Sequence, residues 1–370
     1  MKRIYLDYAA GMHNPSSVHA SGRAAKKILD GARAQIAAVL HCRAEELIFT
    51  GSGTEANNLA IFGIREGHIV STNIEHHSVL RPLEKRGNVT FVPVKPNGIV
   101  DPGDIAKALR PDTVLVSVIY ANNEIGTIQP IKEIAKMFRP LRTNHYPLLH
   151  IDACQAAGFL NLNVQELGVD LMTINGSKIY GPKGTGALFV RRGVRLSPLI
   201  LGGDQEWGLR AGTPNPALLA EFAKALETCN AQRVTRNVRL TKLRDDFIQR
   251  VVREIPRTTL NGDPILRLPN NINISFDGID GEMLMLRLDL KGIEVSTGAA
   301  CTVTSNEPSH VLRAISPQPP ALSPSRPPPY GKGEVKEGNI RISLGRSTTK
   351  KDLEYTLKVL KKEVARLRKL

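Results

Sequence analysis

A lysine released from an apolar strand into a flexible turn can serve as an amine nucleophile, and Lys178 is placed in that way. It follows the apolar run Leu171–Ile174 through Asn175, Gly176 and Ser177, and precedes a turn rich in glycine and proline (Tyr180 to Gly184). Asp152 ends another apolar run, Leu148–Asp152, with Gln155 one short turn later. If the two strands are neighbours, both side chains reach one crevice. A third segment, Thr50-Gly51-Ser52-Gly53-Thr54-Glu55-Ala56, follows a strand and opens a helix. Its glycines let the backbone approach a ligand, and the free N–H groups of a helix start favour a phosphate. Alone, Lys178 reads as a surface lysine and Asp152 as a helix cap. Together, an amine, a carboxylate and a phosphate cradle meet the needs of pyridoxal phosphate. The lysine forms the Schiff base, and the carboxylate keeps the ring nitrogen protonated.

Other residues leave alternatives open. Gly51–Ala56 also reads as G-x-G-x-x-A, with Glu75 about twenty residues on, a pattern shared with dinucleotide sites. His76 and His77 suggest a metal, but adjacent side chains point apart; one ring stacked on an aromatic cofactor needs only one of them. Asn122-Asn123-Glu124-Ile125-Gly126 ends a strand and reads as a turn or a ligand loop. Cys301 lies among small residues, Ser296 to Thr302, which suits an accessible thiolate better than a packed core thiol.

The elements that must position these residues are legible as alternating patterns. Ile4–Asp7 reads as a short strand and Ser16–Leu40 as a helix. Seven β-like runs follow, at Leu47–Thr50, Ile69–Thr72, Val89–Val94, Val114–Ile119, Leu148–Asp152, Leu171–Ile174 and Ala187–Val190. Helical or loop segments separate most of them, which predicts an α/β sheet with helices on both faces and ligands at the strand ends. A long helical stretch, Pro216 to Arg253, leads to strand-like Asn271–Phe276, helical Gly281–Asp289, strand-like Ile293–Ser296 and Ile340–Leu344, and a final helix. This predicts a large domain over 11–235 and a smaller α+β domain from 1–10 and 236–370. The smaller domain carries a cysteine loop (about 296–308). Seven prolines within Pro317–Pro329 exclude helix and central strand there and predict an extended insertion.

The chain has 370 residues, 41% of them hydrophobic and 23% charged, which excludes an intrinsically disordered chain. Fifty Lys and Arg against 35 Asp and Glu leave a net charge of +15, with seven of the basic residues and three of the acidic ones in the last twenty positions. Aromatics are only 5% and no nucleic-acid motif is present, so the charge does not predict direct nucleic-acid binding. Four scattered cysteines without a C-x-x-C pair argue against a zinc ribbon or disulfide framework and for a reducing compartment. No run is long enough to span a bilayer, and Asp7 interrupts any leader-like apolar core. A cytoplasmic location without membrane contact is expected.

Segments spread through the chain resemble the pyridoxal-phosphate-dependent cysteine desulfurases of the class V aminotransferase group, in the branch with a long cysteine loop. They are YLDYAA, NPSSVH, GTEANNLAI, IEHHSVL, NNEIGTIQP, HIDACQAAG, SKIYGPKGTGAL, GLRAGTPN, STGAACT, EPSHVLRA and NIRISLGR. The resemblance implies a fold-type I architecture, with a seven-stranded, mainly parallel sheet and a smaller α+β domain. It implies that Lys178 forms the Schiff base and shuttles protons, that Asp152 pairs with the pyridine nitrogen and Gln155 with the ring oxygen, and that His76 is catalytic, stacking on the ring and helping to move protons. Gly53, Thr54, Asn175 and Ser177 would hold the phosphate, with Thr213 reaching across from the second subunit of a homodimer. Arg341 would clamp the carboxylate of L-cysteine, with Asn123 beside it. Cys301 would take the sulfur as a persulfide, leave L-alanine, and pass the sulfur to an acceptor protein in iron–sulfur assembly or tRNA thiolation. Selenocysteine lyase or another lyase or aminotransferase of the same fold, and a non-catalytic basic scaffold, are the alternatives. The chain departs from the family in three places: only Gly11, Met12 and His13 separate YLDYAA from NPSSVH, Ser177 stands where many relatives have histidine, and the proline-rich insertion follows the cysteine loop.

Overall fold

The computed structural model describes residues 3–138, 147–298, 309–316 and 337–369. The chain divides into two compact units. The first comprises residues 1–92, 102–120 and 130–233, and the second residues 93–101, 121–129 and 234–370.

In the first unit, helix α1 (Ala20–Leu40) leads to β1 (Leu47–Thr50), α2 (Gly53–Phe62), β2 (His68–Thr72), α3 (His77–Arg86) and β3 (Val89–Val92). Then come α4 (Pro102–Ala108), β4 (Thr113–Ile119), α5 (Ile131–Phe138), β5 (Leu148–Asp152), the short α6 (Val164–Leu167), β6 (Leu171–Asn175), β7 (Gly186–Val190) and α7 (Pro216–Ala231). The seven strands form one sheet in the order β1-β7-β6-β5-β4-β2-β3. Strands β2 to β6 run parallel, and β7 alone is antiparallel to its neighbours β6 and β1. The C-terminal ends of β1, β2, β5 and β6 therefore share one edge, where such sheets bind ligands. Every residue of β1, β2, β4 and β7 is buried, as strands covered on both faces require. Ala56, Leu59, Ala60 and Ile61 of α2, with Val79 and Leu83 of α3, pack with Ile48, Ile69, Leu115, Leu171 and Leu188 of the strands.

In the second unit, α8 (Arg233–Glu254), which starts at the last residue of the first, leads to an antiparallel sheet. Its strands β8 (Thr258–Leu260), β9 (Asn271–Asp277) and β10 (Glu337–Ser343) are ordered β10-β9-β8. Helices α9 (Gly281–Asp289), α10 (His310–Ile315) and α11 (Lys350–Leu367) complete it. The final helix is amphipathic: Leu353, Leu357, Leu360 and Val364 are buried, and its lysines occupy the other face.

Several expectations need correction. Residues 4–7 form no strand, because Ile4 and Leu6 are exposed and the chain turns into a 3-10 helix at Tyr8–Ala10. The helix read from Ser16 starts at Ala20, where His19 Nδ1 accepts the Gly22 N–H. The strand expected over Val89–Val94 stops before Pro93, which has no N–H for the ladder. The stretch Pro216–Arg253 is two helices broken at Gln232, and Ile293–Ser296 contributes only a single bridge, Ser296 to Arg341. β8 was not expected, being three residues flanked by Arg257 and Asn261. The unit boundary falls between 233 and 234, residues 1–10 group with the large unit, and 93–101 and 121–129 group with the small one. The proline-rich Pro317–Pro329 lies outside the described residues.

Candidate active site

Asp152 is the last residue of β5 and is 4% exposed. Its Oδ1 accepts the Cys154 backbone N–H at 2.9 Å, and its Oδ2 accepts a proton of Asn57 Nδ2 at 2.8 Å. Below it on the same strand, the buried His150 bridges Ser117 Oγ of β4 at 2.9 Å and Thr173 Oγ1 of β6 at 3.1 Å. Burial lowers the His150 pKa to about 4, so the ring beneath the carboxylate is neutral.

The start of α2 reaches the same edge. A Cβ at Gly53 would stand 2.6 Å from Cys154 Sγ and 3.3 Å from Asn175 Nδ2, so only glycine lets this helix approach the ends of β5 and β6. Ser52 Oγ accepts the Glu55 N–H, while the N–H groups of Gly53 and Thr54 belong to the first turn, which an α-helix cannot satisfy internally. Asn175 ends β6, and its Oδ1 is buried without a hydrogen-bond partner. Ser177 and Lys178 follow, both exposed. Burial, with the Asp152 carboxylate beside it, pushes the Cys154 thiol well above its ordinary pKa, and the Lys178 ammonium acts in the opposite direction. Lys178, Cys154 and Asp152 are thus electrostatic neighbours. Gln155, half-buried, lies in the turn after Asp152.

His76 caps α3: its Nδ1 accepts the Ser78 N–H at 3.1 Å and lies 2.7 Å from Ser78 Oγ. The His76 and His77 rings are 6.4 Å apart and tilted by 60°, and no group of three His, Cys, Asp or Glu among the described residues could hold a metal ion. Glu75, the acidic partner that a dinucleotide reading requires, is fully buried. Its Oε1 accepts from Thr72 Oγ1 at 2.6 Å and Ile119 N at 2.9 Å. Burial raises its pKa to about 8, and a carboxyl enclosed in this way cannot reach a ribose. Thr213 is exposed on the loop before α7 and lines a cavity with Thr50, Gly51, Glu206 and Arg210.

In the second unit, the turn Asn122–Gly126 is folded by Asn122 Oδ1, which accepts the N–H groups of Glu124 and Ile125. The Glu124 carbonyl accepts from Asn271 and Asn273 of β9, each at 3.0 Å. Gly126, at φ +75°, abuts the Asn271 side chain so closely that a Cβ would stand 2.6 Å from it. This docking brings Asn123 to Arg341, whose Nη1 donates to the Asn123 carbonyl at 3.3 Å. Arg341 pairs with Asn273 across the ladder and with Ser296 through a two-bond bridge. Ser309 Oγ donates to Glu124 Oε2 at 2.5 Å. Cys301 and residues 299–308 lie outside the described residues.

The structure therefore brings together Gly53, Asp152, Asn175 and Lys178 in one unit, and Asn123 with Arg341 in the other. Sequence reasoning missed Asn57, Ser78 and Cys154. Asn57 carried a usable signal, since it is a wholly buried polar residue on the otherwise apolar inner face of α2.

The family model described as Aminotransferase class-V matches residues 1–356. The chain is 45% identical to the cysteine desulfurase IscS of Dictyoglomus turgidum, over 100% of this chain and 96% of the relative. It is 42% identical to the cysteine desulfurase IscS 1 of Archaeoglobus fulgidus, over 96% and 91%. The solved structure of a NifS-like protein from Rickettsia africae superimposes with a TM-score of 0.83 at 31% identity, covering 95% of this chain and 92% of that one.

Proposed function

Because the chain belongs to the class-V aminotransferases, and within them to the cysteine desulfurases, we propose that it releases sulfur from L-cysteine with pyridoxal phosphate at the strand ends of the large unit. The residues there fit that group. The orphaned Asn175 Oδ1 and the side-chain-free approach at Gly53 leave a polar cradle at a helix start, which suits a phosphate. Asp152, already holding two donors, keeps further lone pairs for a protonated ring nitrogen. Bound there, pyridoxal phosphate supplies an electron sink for bonds breaking at the amino acid's α- and β-carbons.

The chain's own residues do the rest. Gly53 and Thr54 present N–H groups to the phosphate, with Asn175 and Ser177 beside them. Lys178 would hold the group through its amine and would carry protons to and from the substrate. His76 would pack on the ring of that group and Gln155 would bond its oxygen. Thr213 completes the phosphate site from a second copy of the chain. Arg341 binds the substrate carboxylate through a charge-assisted pair, assisted by Asn123. Cys301, as thiolate, attacks the sulfur of L-cysteine, so that the C–S bond breaks, a persulfide forms on Cys301 and L-alanine leaves. An acceptor thiol on a partner protein then takes the sulfur by exchange, serving iron–sulfur assembly or tRNA thiolation. We place the reaction in the cytoplasm; among the described residues no helix is long and apolar enough to cross a membrane.

The observation that carries this reading is the pairing of β5 with β6, which sets Asp152 and the turn from Asn175 to Lys178 at one sheet edge beside the α2 start. Alanine released from L-cysteine by the cofactor-loaded protein, measured beside Cys301→Ala, tests it. Alanine and a Cys301 persulfide from the parent, with both lost in the variant that still binds cofactor, is the expected result. Equal sulfur transfer by the variant would refute the role of Cys301.

A further inference from the structure

We propose that Asn57 and Ser78 form a positioning relay that ties the Asp152 carboxylate to His76 and holds the neutral imidazole as its Nε2–H tautomer. The direction of every bond in the relay follows from its first member. A carboxylate only accepts, so the Asn57 atom 2.8 Å from Asp152 Oδ2 is Nδ2. The second proton of that amide goes to Ser78 Oγ, also at 2.8 Å. Having accepted there, the Ser78 hydroxyl has its own proton to place, and His76 Nδ1 stands 2.7 Å away. The Ser78 backbone N–H donates to the same nitrogen at 3.1 Å. With two donors aimed at it, Nδ1 carries no proton, and the neutral ring keeps its proton at Nε2.

Asn57 shows what this arrangement costs. It is fully buried, and its Oδ1 has no hydrogen-bond partner. Flipping the amide would set that oxygen against the Asp152 carboxylate, so the orphaned acceptor is kept in exchange for the relay. The residues come from α2, the start of α3 and the end of β5, and Asn57 and Asp152 are 95 positions apart in the chain. None of this geometry is needed to cap α3, which the Ser78 backbone N–H alone achieves.

The role assigned to the relay rests on the reading that Asp152 and His76 hold the cofactor ring, whereas its tautomer prediction does not. The test is nitrogen NMR of full-length protein labelled with 15N-histidine, with His76 assigned through His76→Gln. Spectra are taken at about pH 8.5, above the ordinary imidazole range, without and with pyridoxal phosphate. In the parent, Nδ1 reads as the bare nitrogen and Nε2 as the protonated one. Ser78→Ala lowers the ratio of Nε2–H to Nδ1–H by roughly 2- to 10-fold, the range expected for one neutral hydrogen bond. Ser78→Thr, which keeps the hydroxyl, restores it. Asn57→Ala leaves the hydroxyl free to turn and gives a smaller fall. A purely structural role would shift melting temperature and leave the ratio alone. A parent with Nδ1 protonated, or an unchanged ratio in Ser78→Ala, overturns the proposal. If the parent shows the predicted tautomer but its His76 signals do not respond to added pyridoxal phosphate, the tautomer assignment stands and the placing of His76 at the cofactor falls.

Discussion

In the large unit, the proposed cofactor residues sit at the ends of buried parallel strands. Asp152 is flanked by β4 and β6, accepts a backbone and a side-chain donor, and rests above a neutral histidine. In the small unit, Arg341 lies on the outer strand of a three-stranded sheet, half-buried, and meets the carbonyl of Asn123 in a turn docked by two asparagines of β9. One set is fixed by strand geometry covered on both faces, the other by side-chain bonds to a loop. The difference suits the tasks proposed for the two sets. A resident group benefits from preorganised partners, whereas a substrate that enters and leaves at every turnover needs a clamp on a less enclosed surface.

The comparison can be broken or sharpened by substitution. Lys178→Ala should have the largest effect, abolishing both the visible band of bound pyridoxal phosphate and alanine release. A normal band in that variant would remove Lys178 from the site. Asp152→Ala should come next, since it strips Asn57 of its acceptor and the ring nitrogen of its counter-charge. Turnover should fall by about 100-fold or more, consistent with the loss of about 3 kcal/mol from a charged hydrogen bond, and cofactor affinity should weaken in parallel. Arg341→Ala should act differently, raising KM for L-cysteine by about 10- to 100-fold while the cofactor band is unchanged. If Arg341→Ala lost cofactor instead, the division of labour between the two units would be wrong.

Glu75→Gln should be the mildest change and the most dependent on pH. The Glu75 carboxyl has its pKa raised by burial to about 8 in the folded chain, against an ordinary value of 4.5. The folded state therefore keeps a proton that the unfolded state loses, and stability falls as pH rises from 4.5 towards 8. Glutamine retains the oxygen that accepts from Thr72 and Ile119 and cannot ionise. The variant should melt at a similar temperature near pH 4.5 and a few degrees higher at pH 8. A gap that does not widen with pH would show that Glu75 is ionised in the folded protein.

Much of the fold was legible because it is local. The runs at Leu47–Thr50 and Leu148–Asp152 are strands with those bounds, and Gly281–Asp289 is a helix with those bounds, since periodicity and flanking turn residues suffice. Ile4–Asp7 misled because an alternating apolar pattern without a neighbouring strand has no ladder to join. Glu75 was an open alternative for a related reason: its spacing from the glycine turn suited a ribose contact, and its burial between Thr72 and Ile119 excludes one.

By itself the sequence determined the class of sheet and the family, and it singled out a lysine, a carboxylate and a glycine turn as candidates for one site, because these are properties of residue type, order and short spacing. Tertiary structure decided how those groups are held. It inserted β7 between β1 and β6, brought α2 against β5 and β6, and so set Asn57 between Asp152 and Ser78. A hydrogen bond is made or lost over a few tenths of an ångström, and distances of that size between remote segments are set by packing, which no local pattern encodes.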